Sequence, residues 1–214
     1  MTPTQIETAA RNAYNSIGDS FFSSDEILGL LYDACLELAR EALLIERVYS
    51  TTTVAGTQEY DFPTNTIAIK RVTYDGHKLR PITFREDDAV TGLDQSDTTQ
   101  GTPQYYYQWN ETLGLRNIPD DAKELKIYSY NEPSEIDTTS TLEIPTSFHR
   151  GLVNYIVSEM AAKDMNLNHA QYYKQKWDKV VLDAKKWARK RKRTDGFGNV
   201  QDEDTMVETY LGTV

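Results

Sequence analysis

The chain has 214 residues, 39% hydrophobic and 26% charged, with 23 Lys and Arg against 33 Asp and Glu, a net charge of −10. That is enough apolar side chain for a core, so a disordered chain is excluded, and the acid excess excludes a general nucleic-acid coat while allowing one local basic patch. The single cysteine, Cys35, excludes an internal disulfide, no apolar run approaches the ~20 residues of a membrane span, and the start lacks the basic and apolar stretches of a signal peptide, so a reducing compartment is expected.

The first element is a helix from about Pro3 to Ile17. Thr2 suits its N-cap, Pro3 its first position and Gln5 the partner three residues on, and Gly18 stops it. A second helix follows the capping pair Ser23 and Glu26. Its apolar face is Ile27, Leu31, Ala34, Leu38, Ala42 and Ile45, widened by Leu28, Cys35 and Leu43, so it is expected to pack on more than one neighbour.

At Val48 the period changes from helical to alternating. Strands are expected at Val48–Val54, Gln58–Phe62 and Ile67–Tyr74, with Asp75-Gly76 as a hairpin turn into Lys78–Ile82. Thr83 and Glu86 cap a short helix ending near Gly92, and Leu93–Thr102 reads as a surface loop. Gln104–Trp109 alternates, with Tyr105, Tyr107 and Trp109 on one face. Leu113–Ile118 and Glu124–Tyr130 are two more strands around a turn at Pro119-Asp120-Asp121. Tight turns without crossover helices predict antiparallel pairing throughout.

Helical period returns at about Thr146–Lys163, with Phe148, Leu152, Ile156 and Met160 four apart. A long helix then runs from Asn166 to Arg193. Ala170, Tyr173, Trp177, Val180, Ala184 and Trp187 recur in it at gaps of 3, 4, 3, 4 and 3, the seam of a helix packed lengthwise on others. We read Tyr173, Trp177, Val180 and Trp187 as a core or subunit seam. The nine residues from Lys185 to Arg193 hold seven bases (Lys185, Lys186, Arg189, Lys190, Arg191, Lys192, Arg193) and no acid, leaving 16 bases against 33 acids elsewhere, a net of −17. Cations suit a helix C-terminus, but each contributes only about 0.3–1 kcal/mol when exposed, and seven adjacent ones repel. Three readings stand: a solvated helix end, a nuclear-import or nucleic-acid patch, and a charged contact in an assembly or along a nucleic-acid channel. The last is favoured. The tail from Thr194 to Val214 has three Gly, an acidic Asp202-Glu203-Asp204 and scattered apolar residues: Phe197, Val200, Met206, Val207, Tyr210 and Leu211. It cannot build a core alone, so something else is expected to hold it.

The expected class is α+β: a helical bundle from residues 1–47 and 146–193, a β-rich insertion at 48–145 and an extended tail at 194–214. Motifs for catalysis are lacking: no glycine-rich phosphate loop, no His-Glu-x-x-His, no Gly-x-Ser-x-Gly. His77, His149 and His169 lie far apart and read as surface or capping residues. Cys35, on an apolar helix, reads as a buried inert thiol. The acid runs Glu86-Asp87-Asp88, Asp120-Asp121 and Asp202-Glu203-Asp204 read as solvated turns rather than cation sites. No basic residue interleaves Tyr105, Tyr107 and Trp109, so a strand core or subunit contact is preferred to a base-stacking face. No metal and no cofactor is expected, and no enzyme.

One resemblance runs through these signals. Tyr49-Ser50-Thr51-Thr52-Thr53-Val54-Ala55-Gly56-Thr57-Gln58-Glu59-Tyr60-Asp61-Phe62-Pro63, then Val72-Thr73-Tyr74-Asp75-Gly76, Gly101-Thr102-Pro103-Gln104-Tyr105-Tyr106, Leu113-Gly114-Leu115-Arg116-Asn117-Ile118-Pro119-Asp120 and Ile144-Pro145-Thr146-Ser147-Phe148-His149 follow one another. In that order the chain resembles the head-to-tail adaptor (connector) proteins of tailed bacteriophages, over roughly residues 48 to 160. The resemblance implies a ring, usually of twelve copies, beneath the portal, which extends the DNA channel and joins capsid to tail. It implies a virion protein of the phage neck, made in the host cytoplasm. Its partners would be the portal protein, neighbouring adaptor copies, a downstream tail or nozzle protein, and passing double-stranded DNA without sequence specificity, with no membrane. It assigns the tail, through Phe197, Val200, Met206, Val207, Tyr210 and Leu211, to portal docking. The basic residues from Lys185 to Arg193 match no family motif; their use against portal or DNA is our own reading. The alternative is a nucleic-acid-binding module that uses them.

Overall fold

The structure, a computed structural model, describes residues 1–16, 18, 20–83, 85 and 99–194. The chain is α+β and folds as two compact units, one from Met1–Ile45 with the chain from Asn131 on, the other Glu46–Tyr130.

The first unit is helical. Helix α1 spans Pro3–Tyr14 behind the expected capping box, in which Gln5 N donates to Thr2 Oγ1 at 3.2 Å and Thr2 N to Gln5 Oε1 at 3.0 Å. It stops earlier than Gly18. Asn15 takes the left-handed conformation at φ 58°, and a side chain that tolerates this geometry ends the helix there. Helix α2 spans Ser24–Ala42 and is capped by Ser23. Ile27, Leu31, Ala34, Cys35, Leu38, Ala39 and Ala42 are buried along it. A single turn at Thr146–Phe148 opens α3, His149–Lys163, and α4 runs Leu167–Thr194. Helix α3 packs against α1, α2 and α4, which is why it buries residues at consecutive positions (Leu152 and Val153, Ile156 and Val157, Met160 and Ala161) rather than along one stripe.

The sequence reading carried the insertion to residue 145. The chain from Asn131 to Pro145 belongs instead to the helical unit, where Leu142 and Ile144 are buried and Ile144 O accepts from His149 Nε2 at 2.7 Å. His149 is correspondingly buried, not a surface residue.

Among the described residues the second unit is two four-stranded sheets. Their strands are β1 Glu46–Thr52, β2 Glu59–Asp61, β3 Thr66–Tyr74, β4 His77–Lys78, β5 Arg80–Pro81, β6 Tyr105–Trp109, β7 Thr112–Arg116 and β8 Glu124–Asn131. The orders are β1-β8-β3-β4 and β2-β7-β6-β5. Val72, Tyr74, Leu79, Tyr106, Leu113, Leu115, Leu125 and Ile127 form one apolar core from both sheets. The expected strand Lys78–Ile82 is broken. Its halves serve different sheets, with Leu79 buried at the crossing. The second half pairs parallel to β6, against the expectation of antiparallel pairing throughout. Arg80 N and Ile82 N donate to Gln104 O and Tyr106 O, so the residue between them, Pro81, needs no donor on that side. Tyr105, Tyr107 and Trp109 do not form one exposed ladder: Tyr107 is buried and its ring covers Gly114, where an added Cβ would meet it at 2.0 Å. The helix expected between Thr83 and Gly92 lies almost wholly outside the described residues.

Candidate assembly surfaces of the helical unit

Helix α4 is placed by its seam. Trp177 and Ala184 are fully buried, and Tyr173, Val180 and Trp187 are half-buried beside them. Trp177 Nε1 donates to Glu37 Oε1 of α2 at 3.0 Å, and its ring meets Tyr155 of α3 edge-on at 5.3 Å. Burial pushes the Tyr155 hydroxyl up to about 12, helped by the charges of Glu159, Asp33 and Glu37. Val180 fills the gap left by Gly151, where a Cβ would lie 2.6 Å from its Cγ1. Trp187 packs edge-on to Phe148 at 5.8 Å. Trp177, Val180 and Trp187 thus meet side chains or backbone of their own chain.

The basic end is partly answered by the same chain. Helix α4 carries ten Lys and Arg against two Asp. Facing it, α2 carries Asp33, Glu37 and Glu41 at four-residue spacing, a stripe on one helix face. Lys185 Nζ reaches Glu41 at 2.6 Å and Lys174 Nζ reaches Glu37 at 3.9 Å. Lys186 pairs with Asp183 at 3.7 Å, and the Arg191 guanidinium sits over the Trp187 ring at 5.5 Å. Arg189, Lys190 and Arg191 are exposed. Lys192 and Arg193 continue the helix backbone. The tail residues Phe197, Val200, Met206, Val207, Tyr210 and Leu211 lie outside the described residues.

Sequence reasoning missed a surface at the other end of α4. Six rings follow one another: Phe21, Phe22, Tyr14, His169, Tyr173 and Tyr172, with successive centroids 4.9, 5.7, 5.7, 5.1 and 5.3 Å apart. A cation sits at each end. Lys163 Nζ is 4.6 Å from the Phe21 centroid and pairs with Glu26, while Lys176 Nζ is 4.2 Å from Tyr172. Tyr14 donates to Asp164 Oδ2 at 2.7 Å; partial burial and that carboxylate push its hydroxyl up to about 12. Beneath the rings lies a cleft of about 410 Å³ lined by Tyr14, Asn15, Ser16 and Asn166 among others. Among the described residues Ser16 Oγ, buried there, has no hydrogen-bond partner. Phe21, Met165, Leu167 and Tyr172 stand beside it 52%, 82%, 70% and 53% exposed. The pieces come from three separate stretches of chain, so no local pattern joined them.

Cys35 is buried, and burial with Glu143 nearby pushes its thiol up to about 12, the wrong direction for a thiolate. Among the described residues no group of three or more His, Cys, Asp and Glu is placed to hold a metal, and no helix is long and apolar enough to cross a membrane. The surfaces are charged and aromatic faces, suited to contact.

A family model described as SU10 adaptor protein matches residues 1–200. The chain belongs to the SU10 adaptor protein family. This agrees with its resemblance to phage head-to-tail adaptors. The match covers the β unit, all four described helices and the whole basic end of α4. This adaptor is therefore a phage adaptor protein and a virion component. A search of curated proteins gave no match.

Proposed function

We propose that this adaptor forms a ring, of twelve copies as the resemblance implies, beneath the portal, where it extends the DNA channel and joins capsid to tail. The observation that carries the reading is the family match across both units. The role is structural. The helical unit supports it with two surfaces a lone copy leaves uncovered: the exposed apolar side chains Phe21, Met165, Leu167 and Tyr172, and the exposed basic end of α4. The residues from Lys185 to Arg193 meet the portal or passing DNA. The tail, through Phe197, Val200, Met206, Val207, Tyr210 and Leu211, docks on the portal, and the β unit meets the downstream tail protein.

Electron microscopy of the purified chain mixed with its virus's portal tests this. A ring added beneath the portal is expected; portals left bare by an intact chain would overturn the reading. The second reading, a nucleic-acid module, draws on the seven bases from Lys185 to Arg193. It requires salt-sensitive DNA affinity of the free chain, with log K falling linearly in log salt. The use of Lys185, Lys186 and Arg191 inside the chain weighs against it.

A further inference from the structure

The sheet β1-β8-β3-β4 ends in strand edges that no described strand covers. Hydrogen-bond parity identifies the open groups on β1. Thr53 N donates to Lys123 O at 2.8 Å, and Asn131 N donates to Ile45 O at 2.9 Å. With the register Glu46↔Tyr130 through Thr52↔Glu124, the odd-numbered residues are the ones bonded to β8. The N–H and C=O groups of Glu46, Val48, Ser50 and Thr52 therefore point away from β8. Side chains of β1 are open on both faces: Val48 is 57% exposed and Tyr49, on the other face, 43%. The strand has no Pro, and its only charges are at its first two positions, so the usual devices that blunt an edge are missing.

The far side of the sheet is open too. β4 pairs only with Thr73 and Tyr74, leaving the outer side of β3 from Ile67 to Arg71 without a strand among the described residues. Both β1 and β3 run against β8, so they are parallel to each other: Glu46 pairs with Tyr130, Lys70 lies over the Tyr130 ring, and Asp75 N donates to Glu124 O at the other end.

We propose that β1 of one copy pairs with the open stretch of β3 in the next, so that the sheet continues from copy to copy. This rests on the ring reading above and names the surface that makes the ring. A two-fold pairing of β1 with β1 would satisfy one edge and leave β3 open, whereas a head-to-tail contact satisfies both edges with one interface and closes by rotation. Charge agrees. Glu46 and Lys70 lie level within one copy, 3.5 Å apart at their tips. A sheet that continues without stagger puts Glu46 of one copy level with Lys70 of the next, acid beside base.

The test pairs Glu46→Cys with Lys70→Cys in the full chain mixed with its virus's portal, where electron microscopy reads ring formation independently. Within one chain these positions are two strands, roughly 9–10 Å, apart, beyond the ~7 Å reach of a disulfide, so any bridge joins two copies. A non-reducing ladder is expected from the double variant and from neither single variant. Rings without a ladder overturn the sheet pairing and leave the ring reading standing. Dimers from Tyr49→Cys alone overturn it in favour of a two-fold β1 contact. Neither rings nor ladder overturns both readings. Val48→Pro removes an outward N–H and no bond to β8. In the double-cysteine background it should abolish the ladder while the melting midpoint stays put; a ladder that survives it overturns the proposal.

Discussion

Trp177 shows how one side chain ties three helices. Its ring is fully buried against Tyr155 of α3 and its N–H is spent on Glu37 of α2. Trp177→Ala should cost about 3–5 kcal/mol in denaturant unfolding; an unchanged midpoint would contradict the packing. Gly151→Ala should cost about 1–3 kcal/mol through overpacking against Val180, and Val180→Ala in the same chain should restore part of the loss. Tyr14 and Tyr155 give a pH signature. Both hydroxyls titrate near 12, above the ordinary value of 10.0, so the folded state favours their protonated forms. Their contribution is fully present below pH 10 and is lost as pH rises toward 12. The expected result is alkaline unfolding in that window, with Tyr155→Phe shifting the midpoint to higher pH and removing one late-titrating tyrosinate from the absorbance titration.

At the scale of elements, α2 and α4 are complementary. The stripe Asp33, Glu37 and Glu41 answers a helix with ten bases. Lys185 and Glu41 are both partly exposed, so a double-mutant cycle on them should give only about 0.2–1 kcal/mol. Replacing Arg189, Lys190 and Arg191 together with Gln should shift stability by less than about 1 kcal/mol and weaken portal decoration in electron micrographs. A large loss of stability with unchanged decoration would mean that these charges serve the fold. The strand from Lys78 to Ile82 carries the lesson about local pattern. Alternation and an Asp-Gly turn specified a strand after the hairpin. They could not specify that Leu79 would be drawn into the core and split it between two sheets.

For the whole molecule, the proposal that the tail docks on the portal separates assembly from folding. Deleting residues 194–214 should leave the unfolding midpoint unchanged and abolish portal docking; truncated chains that still decorate portals would remove that assignment. The positions of the four described helices, the change of period at Val48, the α+β class and the adaptor resemblance were legible in the sequence. Each is written in neighbours a few residues apart, through the 3.6 and 2 periods, caps and turn residues. The basic run was legible too, but its intrachain partners were not. Glu41 lies 144 positions before Lys185 in sequence, and only packing brings it to 2.6 Å. The aromatic string joins residues near 14, 21 and 170 for the same reason. Local sequence determined which elements form, because backbone geometry and capping are short-range. Tertiary structure decided which side chains meet, which edges stay open and which charges are already spent, because those depend on contacts the chain makes only once its distant parts are packed.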